Sequence, residues 1–440
     1  MKVIILAAGQ STRMQPVRDK VFLDFLGESL IEHQISTLRQ AGFDDFVVVA
    51  GEHNYSDLSA LLGPYGDQVA ICMQTSPTGM HGAIMAAKEH VDYSEPVLVF
   101  NSNDVVDLEA FSQIIAAYDS QPADAYILGK KVSEYFPGGY LKTNEQGLIE
   151  GIVEKPEPGT EPSDLVNLVV HLYRNFGQFA EALETAKSDR DDLYEVAMDN
   201  LIKAGSKFLA VQYEGFWQPI KYPWHVMDVF RHLCEKKLSE TRGQYISPSA
   251  HVDETAIIKG AVIIDDGAKI FEGAIVKGPA YIGKNSVVAN NALVRDSHIG
   301  ANSVVGFGTE IARSYLGREV WTHSNYIGDS IIGNNVSFGG GTVTGNLRLD
   351  EKNIPVNIKD EKIDSGTNKL GLITGDNIRF GINTSTMPGI KIGSNSFIGA
   401  GIIIGQDIPE ASFVRGETTL KISENTFKFE GKGREISRLG

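Results

Sequence analysis

Two cysteines in 440 residues are too few for a disulfide framework, so Cys72 and Cys234 point to a reducing compartment. Cys72 lies in the apolar run QVAICMQ and reads as a buried structural thiol. Long hydrophobic runs are also missing. No stretch is long enough to cross a bilayer as a helix. The apolar opening, Met1 to Leu6, has no basic region ahead of it and meets polar residues soon after. It reads as a strand and not as a leader, and a cytoplasmic protein is expected. Positive charge is scarce: 40 Lys and Arg against 56 Asp and Glu leave a net charge of −16. That balance excludes a nucleic-acid surface as the main partner. It admits anionic substrates only where basic residues gather locally. His33, His53, His81 and His90 are scattered and show no metal-ligand spacing.

What is present falls into two halves, and the length itself favours two domains. In the first half short β-rich runs alternate with helical segments. KVIILAA is a strand, SLIEHQISTLRQAG an amphipathic helix ending in glycine, and DFVVVAG the next strand. QVAICMQ, the helix GAIMAAKEHV and the strand PVLVFNSND follow. This rhythm predicts a Rossmann-like α/β domain with a mostly parallel sheet. Ligands of such sheets bind beyond the carboxyl ends of the strands, where AAGQSTR, QTSPTG and NSND fall.

At about Gln244 the grammar changes. Val252, Ile258, Ile264, Ile270, Val276, Ile282, Val288 and Val294 recur every six residues. Four residues after each comes a small or modest residue: Ala256, Val262, Ala268, Ala274, Ala280, Ser286, Ala292, then His298. Aliphatic residues stacking inward with small ones at the corners describe a triangular coil. The phase resets near Ile299 and Ile332 and resumes after Lys391. The repeat resembles the hexapeptide left-handed parallel β-helix, which implies a homotrimer. The expected division is 1–235 for the α/β domain, 236–247 for a linker, 248–415 for the β-helix and 416–440 for a tail. NLRLDEKNIPVNIKDEKIDSGTNKLG reads as a long loop interrupting the coil.

The opening stretch MKVIILAAGQSTRMQPVRDK places consecutive backbone N–H groups in a glycine-containing turn, which suits phosphate oxygens. Arg13 adds a forked cation and Lys20 a point charge. The chain then carries Gln74, TGMHGA (78–83), NSND with Asp104, GGYL, IVEKP and WQPIKYPW, in that order. The combination resembles the sugar-1-phosphate nucleotidylyltransferases over most of residues 1–235. With the coil, nearly the whole chain resembles the bifunctional N-acetylglucosamine-1-phosphate uridylyltransferase/glucosamine-1-phosphate acetyltransferase type, especially archaeal-type relatives.

The resemblance implies roles. Ala8, Gly9, Ser11, Thr12 and Arg13 would cradle a nucleoside triphosphate, UTP or dTTP. Lys20 would contact the phosphates where the sugar 1-phosphate attacks. Gln74 and Gly79 would read the pyrimidine edge, and Asp104 would hold Mg²⁺. Gly139, Glu154, Lys155 and Asn167 would bind the sugar. Taken by itself, Asp104 also fits the N-cap of a helix before VVDLEAF. Between coils, WTHSNYIGDSIIGNNVSFGGGTVTGNLRLDEKN resembles the acetyltransferase motif. There His323 would be the general base, Tyr326 and Lys352 would hold the sugar phosphate, and Asn346 would bind substrate, with acetyl-CoA as co-substrate.

Three departures from the family pattern stand out. Asp19 replaces the proline before the phosphate lysine, Pro219 occupies the position of a second metal-binding carboxylate, and TGMHGA replaces a TGTADA-like segment. In the coil, Ser337 and Pro355 replace an asparagine and a lysine. Two alternatives therefore stand beside a nucleotidylyltransferase: an acetyltransferase with an inactive first domain, and a regulatory subunit without catalysis.

Overall fold

The computed structural model describes residues 1–426 except Pro77, Asp191, Glu240, Arg242 and Thr418. Of the expected tail, the described residues up to 426 hold no helix or strand, and the rest lies outside the described residues.

Continuous apolar runs place the central strands. Strands β1 (Lys2–Leu6), β2 (Phe46–Gly51), β3 (Val69–Gln74) and β4 (Val97–Asn101) lie parallel in the spatial order β4-β1-β2-β3. Val3 to Ile5 and Phe46 to Ala50 are wholly buried, as expected for strands covered on both faces. Helix α1 (Leu30–Gln40) starts on a capping box: Ser29 accepts from Glu32 N–H, and the Glu32 carboxylate accepts from Ser29 N–H. It stops at Gly42, whose φ of +96° a side chain would resist. Helices α2 (Tyr55–Leu62), α3 (Gly79–Ala87) and α4 (Leu108–Ser120) complete the crossovers.

The short strand β5 (Asp104–Val106) precedes β6 (Ala125–Lys131), β7 (Gly139–Thr143), β8 (Ile149–Glu154) and β9 (Leu165–Tyr173). β9 runs antiparallel to β4, β6 and β7, and β7 antiparallel to β8. The sheet is thus parallel where the phosphate loop emerges and antiparallel on the IVEKP side. Helices α5 (Phe176–Thr185) and α6 (Leu193–Lys203) and strand β10 (Phe208–Gln212) follow; β10 lies parallel to β6. Strand β11 (Trp217–Pro219) pairs antiparallel with β5, setting Pro219 opposite Asp104. Helix α7 (Val226–Leu238) leads to the second half.

That half is a parallel β-helix with three faces. The six-residue series from Val252 to Val294 points inward and forms one continuous core with Ile299, Ile311, Ile327 and Ile392. His298 departs from the expectation that it fills a corner. One coil earlier Gly278-Pro279 turn the corner between Lys277 and Ala280, but Asp296 alone turns it between Arg295 and Ser297. The missing residue shifts the phase, so Ser297 takes the small-residue position and His298 faces outward. There it pairs in register with Tyr281 and Tyr315 and stacks on Tyr315, ring centres 4.7 Å apart.

The outward column of this face reads Ile263, Tyr281, His298, Tyr315, Ile331 and Ile373, and all of it is buried. What covers it is the α/β domain, through Phe25, Leu30, Val229, Phe230 and Cys234 in one shared cluster. Polar contacts fix the register. Arg318 donates to Asp24 from Nε at 2.8 Å and from a terminal nitrogen at 2.6 Å, and Asp24 N–H donates to Tyr315 OH at 3.1 Å. Burial alone would raise the Asp24 carboxyl; His298 and Arg318 outweigh it and hold the carboxyl at about 2. The segment read as a loose loop carries a hairpin, Pro355–Ile358 with Glu361–Asp364. Its Ile354, Val356 and Ile358 are buried in the same interdomain cluster, so an apolar face turns a surface insertion into a clamp.

Candidate active site

The loop after β1 is held from behind. Ser11 adopts a left-handed backbone, φ 50°, which costs a serine energy unless it is tied down. Asp19 supplies the tie: Ser11 Oγ donates to it at 2.7 Å, Asn54 Nδ2 at 2.7 Å, and His53 Nε2 lies 3.3 Å away. The acid beside Lys20 therefore turns into the scaffold and away from the pocket. Gly9 has an ordinary φ, and a Cβ built on it would meet nothing within 4 Å. The fold does not need glycine there; the open space above the loop does. Ala8 and Thr12 are half-buried, and Arg13 is exposed with no hydrogen bond or ion pair among the described residues.

Asp104 sits opposite, 7 % exposed. It begins β5 and does not cap α4; Asp107 takes the position before that helix. Asn101 Nδ2 donates to its Oδ2 at 3.1 Å and Trp217 Nε1 to its Oδ1 at 2.9 Å. Burial raises its pKa against the pull of Trp217, Lys221 and Lys20. Two lysines face this carboxylate. Lys20 is 9 % exposed and donates to Ile220 O at 3.3 Å; burial lowers its pKa to about 8, with Asp19 and Asp104 opposing. Lys221, also lowered to about 8 by burial, lies 3.7 Å from the centre of the Phe136 ring. Neither residue near Pro219 replaces its carboxylate. His225 Nδ1 lies 2.8 Å from Pro219 O and burial holds it near 4, so the ring is neutral; Asp228 pairs with Arg231.

On the antiparallel side Gly139, Glu154 and Asn167 meet. Glu154 pairs with Gly139, and a Cβ on Gly139 would come 3.0 Å from Glu154 Oε2 and 3.6 Å from Asn167 Nδ2. Lys155 Nζ pairs with Glu154 at 2.9 Å. Asn167 is oriented from below. Burial holds His171 neutral, near 3. Asn167 Oδ1 only accepts, so His171 Nε2 carries the proton and donates across 2.8 Å. Nδ1 then accepts from Tyr194 OH at 2.9 Å. This leaves the Asn167 amide nitrogen for a ligand. Behind it, burial and Glu154 raise Glu195 to about 7. On the other flank Gln74 Nε2 donates to Ser76 O at 2.6 Å and Gly79 O at 3.1 Å, leaving Oε1 to accept. Gly82 permits this: a Cβ there would come 2.6 Å from Gln74 Nε2.

The second group of predicted residues is only partly gathered. Asn346 Nδ2 donates to Tyr326 OH at 3.1 Å and also bonds Asp329, which is paired with Arg313. His323 is exposed on a corner beside Gly306 and Gly340. Lys352 is exposed on the insertion and joins none of them by hydrogen bond.

Sequence reasoning passed over Trp217, Lys221, His171, Glu195 and Asn54. Trp217 and Lys221 stood in the quoted WQPIKYPW, where attention fell on Pro219. The other three lie within regular elements or short turns and carry no local signal.

The nucleotidyl transferase family pattern matches residues 2–229, and the GMPPB C-terminal domain pattern residues 241–363. A bifunctional sugar-1-phosphate nucleotidylyltransferase/acetyltransferase of Sulfurisphaera tokodaii is 32 % identical over 94 % of this chain and 100 % of its own. A bifunctional protein GlmU of Methanocaldococcus jannaschii is 30 % identical over 94 % of this chain and 97 % of its own. Among solved structures, a UDP-glucose pyrophosphorylase bound to UDP-glucose superposes at TM-score 0.47 with 19 % identity, over 53 % of this chain and 98 % of that one. With matches of this reach in both halves, the chain belongs to the sugar-1-phosphate nucleotidylyltransferase family.

Proposed function

We infer that the first site joins a pyrimidine nucleoside triphosphate to a sugar 1-phosphate and releases pyrophosphate. The observation that carries this reading is the open loop at Gly9 facing a buried Lys20 and Asp104, since only an anionic ligand rewards that arrangement. A phosphate oxygen of the sugar 1-phosphate forms the new bond to the α-phosphorus. The α–β bridging bond breaks, and pyrophosphate leaves with the electron pair. The protein's work is positioning and charge neutralisation. The loop from Ala8 to Arg13 presents N–H groups and a guanidinium to the triphosphate, and Lys20 receives charge at the reacting phosphates. Gln74 Oε1 suits the N3–H of uracil or thymine, whereas N3 of cytosine carries no hydrogen and can only accept. Gly139, Glu154, Lys155 and Asn167 suit sugar hydroxyls.

Asp104 fits Mg²⁺. Its carboxylate is buried, forms no ion pair among the described residues, and keeps a lone pair free on each oxygen. When bound, Mg²⁺ supplies charge neutralisation for the phosphates, with substrate oxygens completing its shell. Among the described residues no group of three metal-binding side chains is present, which suits one protein ligand.

The Tyr326–Asn346 pair supports a second reading, acetyl transfer from acetyl-CoA to an amino sugar with His323 as base. This site calls for a homotrimer. Two coil faces are free of the α/β domain and expose apolar residues: Trp321 is 58 %, Phe397 55 % and Ile403 74 % exposed.

The test is pyrophosphate release with Mg²⁺, UTP or dTTP, and glucose, N-acetylglucosamine or N-acetylgalactosamine 1-phosphate. Release that Arg13→Ala and Asp104→Ala abolish is expected. No release with any pair, from folded protein, would overturn the reading.

A further inference from the structure

After β11 the chain turns under the pocket through Ile220 and Lys221. Lys20 Nζ donates to Ile220 O at 3.3 Å, so both lysines depend on one backbone segment. Pro219 pairs in register with Asp104, which places Lys221 two residues beyond the carboxylate's partner. The Lys221 ammonium lies over the Phe136 ring, 3.7 Å from its centre, and Nζ donates to Pro137 O at 3.2 Å. These contacts aim the ammonium without neutralising it. One carbonyl uses one of three donors, and no carboxylate forms an ion pair with it among the described residues.

Lys221 reaches toward both ends of the site: its neighbour Pro219 pairs with Asp104 at the phosphate end, its Nζ bonds Pro137 two residues before Gly139 at the sugar end, and Asp104, Arg13, Lys155 and Glu154 all act on it electrostatically. A cation between those ends stands where a sugar joins its phosphate. We propose that Lys221 grips the phosphate of the sugar 1-phosphate and, beside Lys20, aligns its attacking oxygen. The proposal rests on the nucleotidyl-transfer reading for its substrate. Lys221 gives up no proton; it holds the nucleophile's charge while one P–O bond forms and the α–β bond breaks.

The experiment is calorimetric titration of glucose 1-phosphate and N-acetylglucosamine 1-phosphate into the full chain. The protein is first saturated with the α,β-methylene analogue of UTP in Mg²⁺. Lys221→Met keeps an unbranched side chain of similar length and removes the charge; Lys221→Gln replaces it if the Met variant fails to fold. Affinity for the sugar phosphate falls about tenfold or more, the scale of one lost charge-assisted contact. KM for it rises in parallel, affinity for the analogue moves less than about twofold, and Lys221→Arg restores most of the loss. Unchanged sugar-phosphate affinity, equal loss of the analogue, or a wild-type protein that binds neither sugar phosphate overturns the proposal. Lys221-dependent binding without pyrophosphate release keeps the assignment and sinks the nucleotidyl-transfer reading.

Discussion

In the first candidate site Ser11, Asp104 and Asn167 are each held in place by other side chains of the same domain. Asp19 holds Ser11 and is itself held by Asn54, Trp217 and Asn101 hold Asp104, and His171 holds Asn167. On the coil, Tyr326 and Asn346 hold each other, while His323 and Lys352 stand in the open. The difference follows from architecture. A wound sheet gathers many loops over the ends of its strands, so one chain can surround a ligand. A coil offers only its outer surface, so a site there needs a second surface to close it.

The sharpest way to break this comparison is Asp104→Asn. It keeps the shape and removes the charge, and pyrophosphate release should fall about a thousandfold. Thermal melting should stay level or rise, because burial opposes the charge that is lost. A small kinetic effect would mean that the pocket is not the working site.

Asp19→Ala tests whether the scaffold behind the loop matters. With Ser11 released, kcat/KM for the nucleoside triphosphate should drop about ten- to hundredfold, and stability by about 1–3 kcal/mol. Denaturant melts and steady-state kinetics measure the two effects separately.

Asp24→Asn probes the seam between the halves. The Asp24 carboxyl sits at about 2 in the folded chain against a usual 3.8. Its stabilisation is therefore complete above pH 4 and disappears as pH falls through 2. The variant should lose about 2 kcal/mol at pH 7 and roughly half of that at pH 3, by urea unfolding at the two values. Equal losses at both would show that packing, not charge, holds the seam.

Phe397→Lys with Ile403→Lys addresses the coil alone. The mass in light scattering should fall to one chain, and acetyl transfer should go with it. Pyrophosphate release should persist, because every residue assigned to the first site lies in the α/β domain, away from the substituted faces. Loss of both activities would erase the distinction between a finished site and an open one.

Much of this was legible. A repeat that alternates aliphatic and small residues dictates an inward stack whatever surrounds it, so the Val252–Val294 series was readable as a coil. The apolar runs of β1 and β2 announced a doubly covered sheet in the same way. His298 was not readable, because one missing corner residue at Asp296 changes which side it faces. The insertion looked polar by composition, yet Ile354, Val356 and Ile358 alternate along its first strand and bury one face. Among site residues, those in glycine-rich or strand-end motifs stood out. Asp19 misled, since a carboxylate next to a phosphate lysine looks repulsive until its hydrogen bonds are seen. His171 was hidden, because its role passes through another side chain.

Gly9 separates two kinds of selection. Its φ lies outside the left-handed region, and no protein atom stands within 4 Å of where a Cβ would go. An alanine there would fold as well as the parent and accumulate in a cell to the same level. Surveys that score variants by abundance would pass it as neutral, while surveys that score growth on the product would reject it. Positions where those two rankings part mark space reserved for something other than the polypeptide, and such a map could be drawn for this chain without any bound molecule in view.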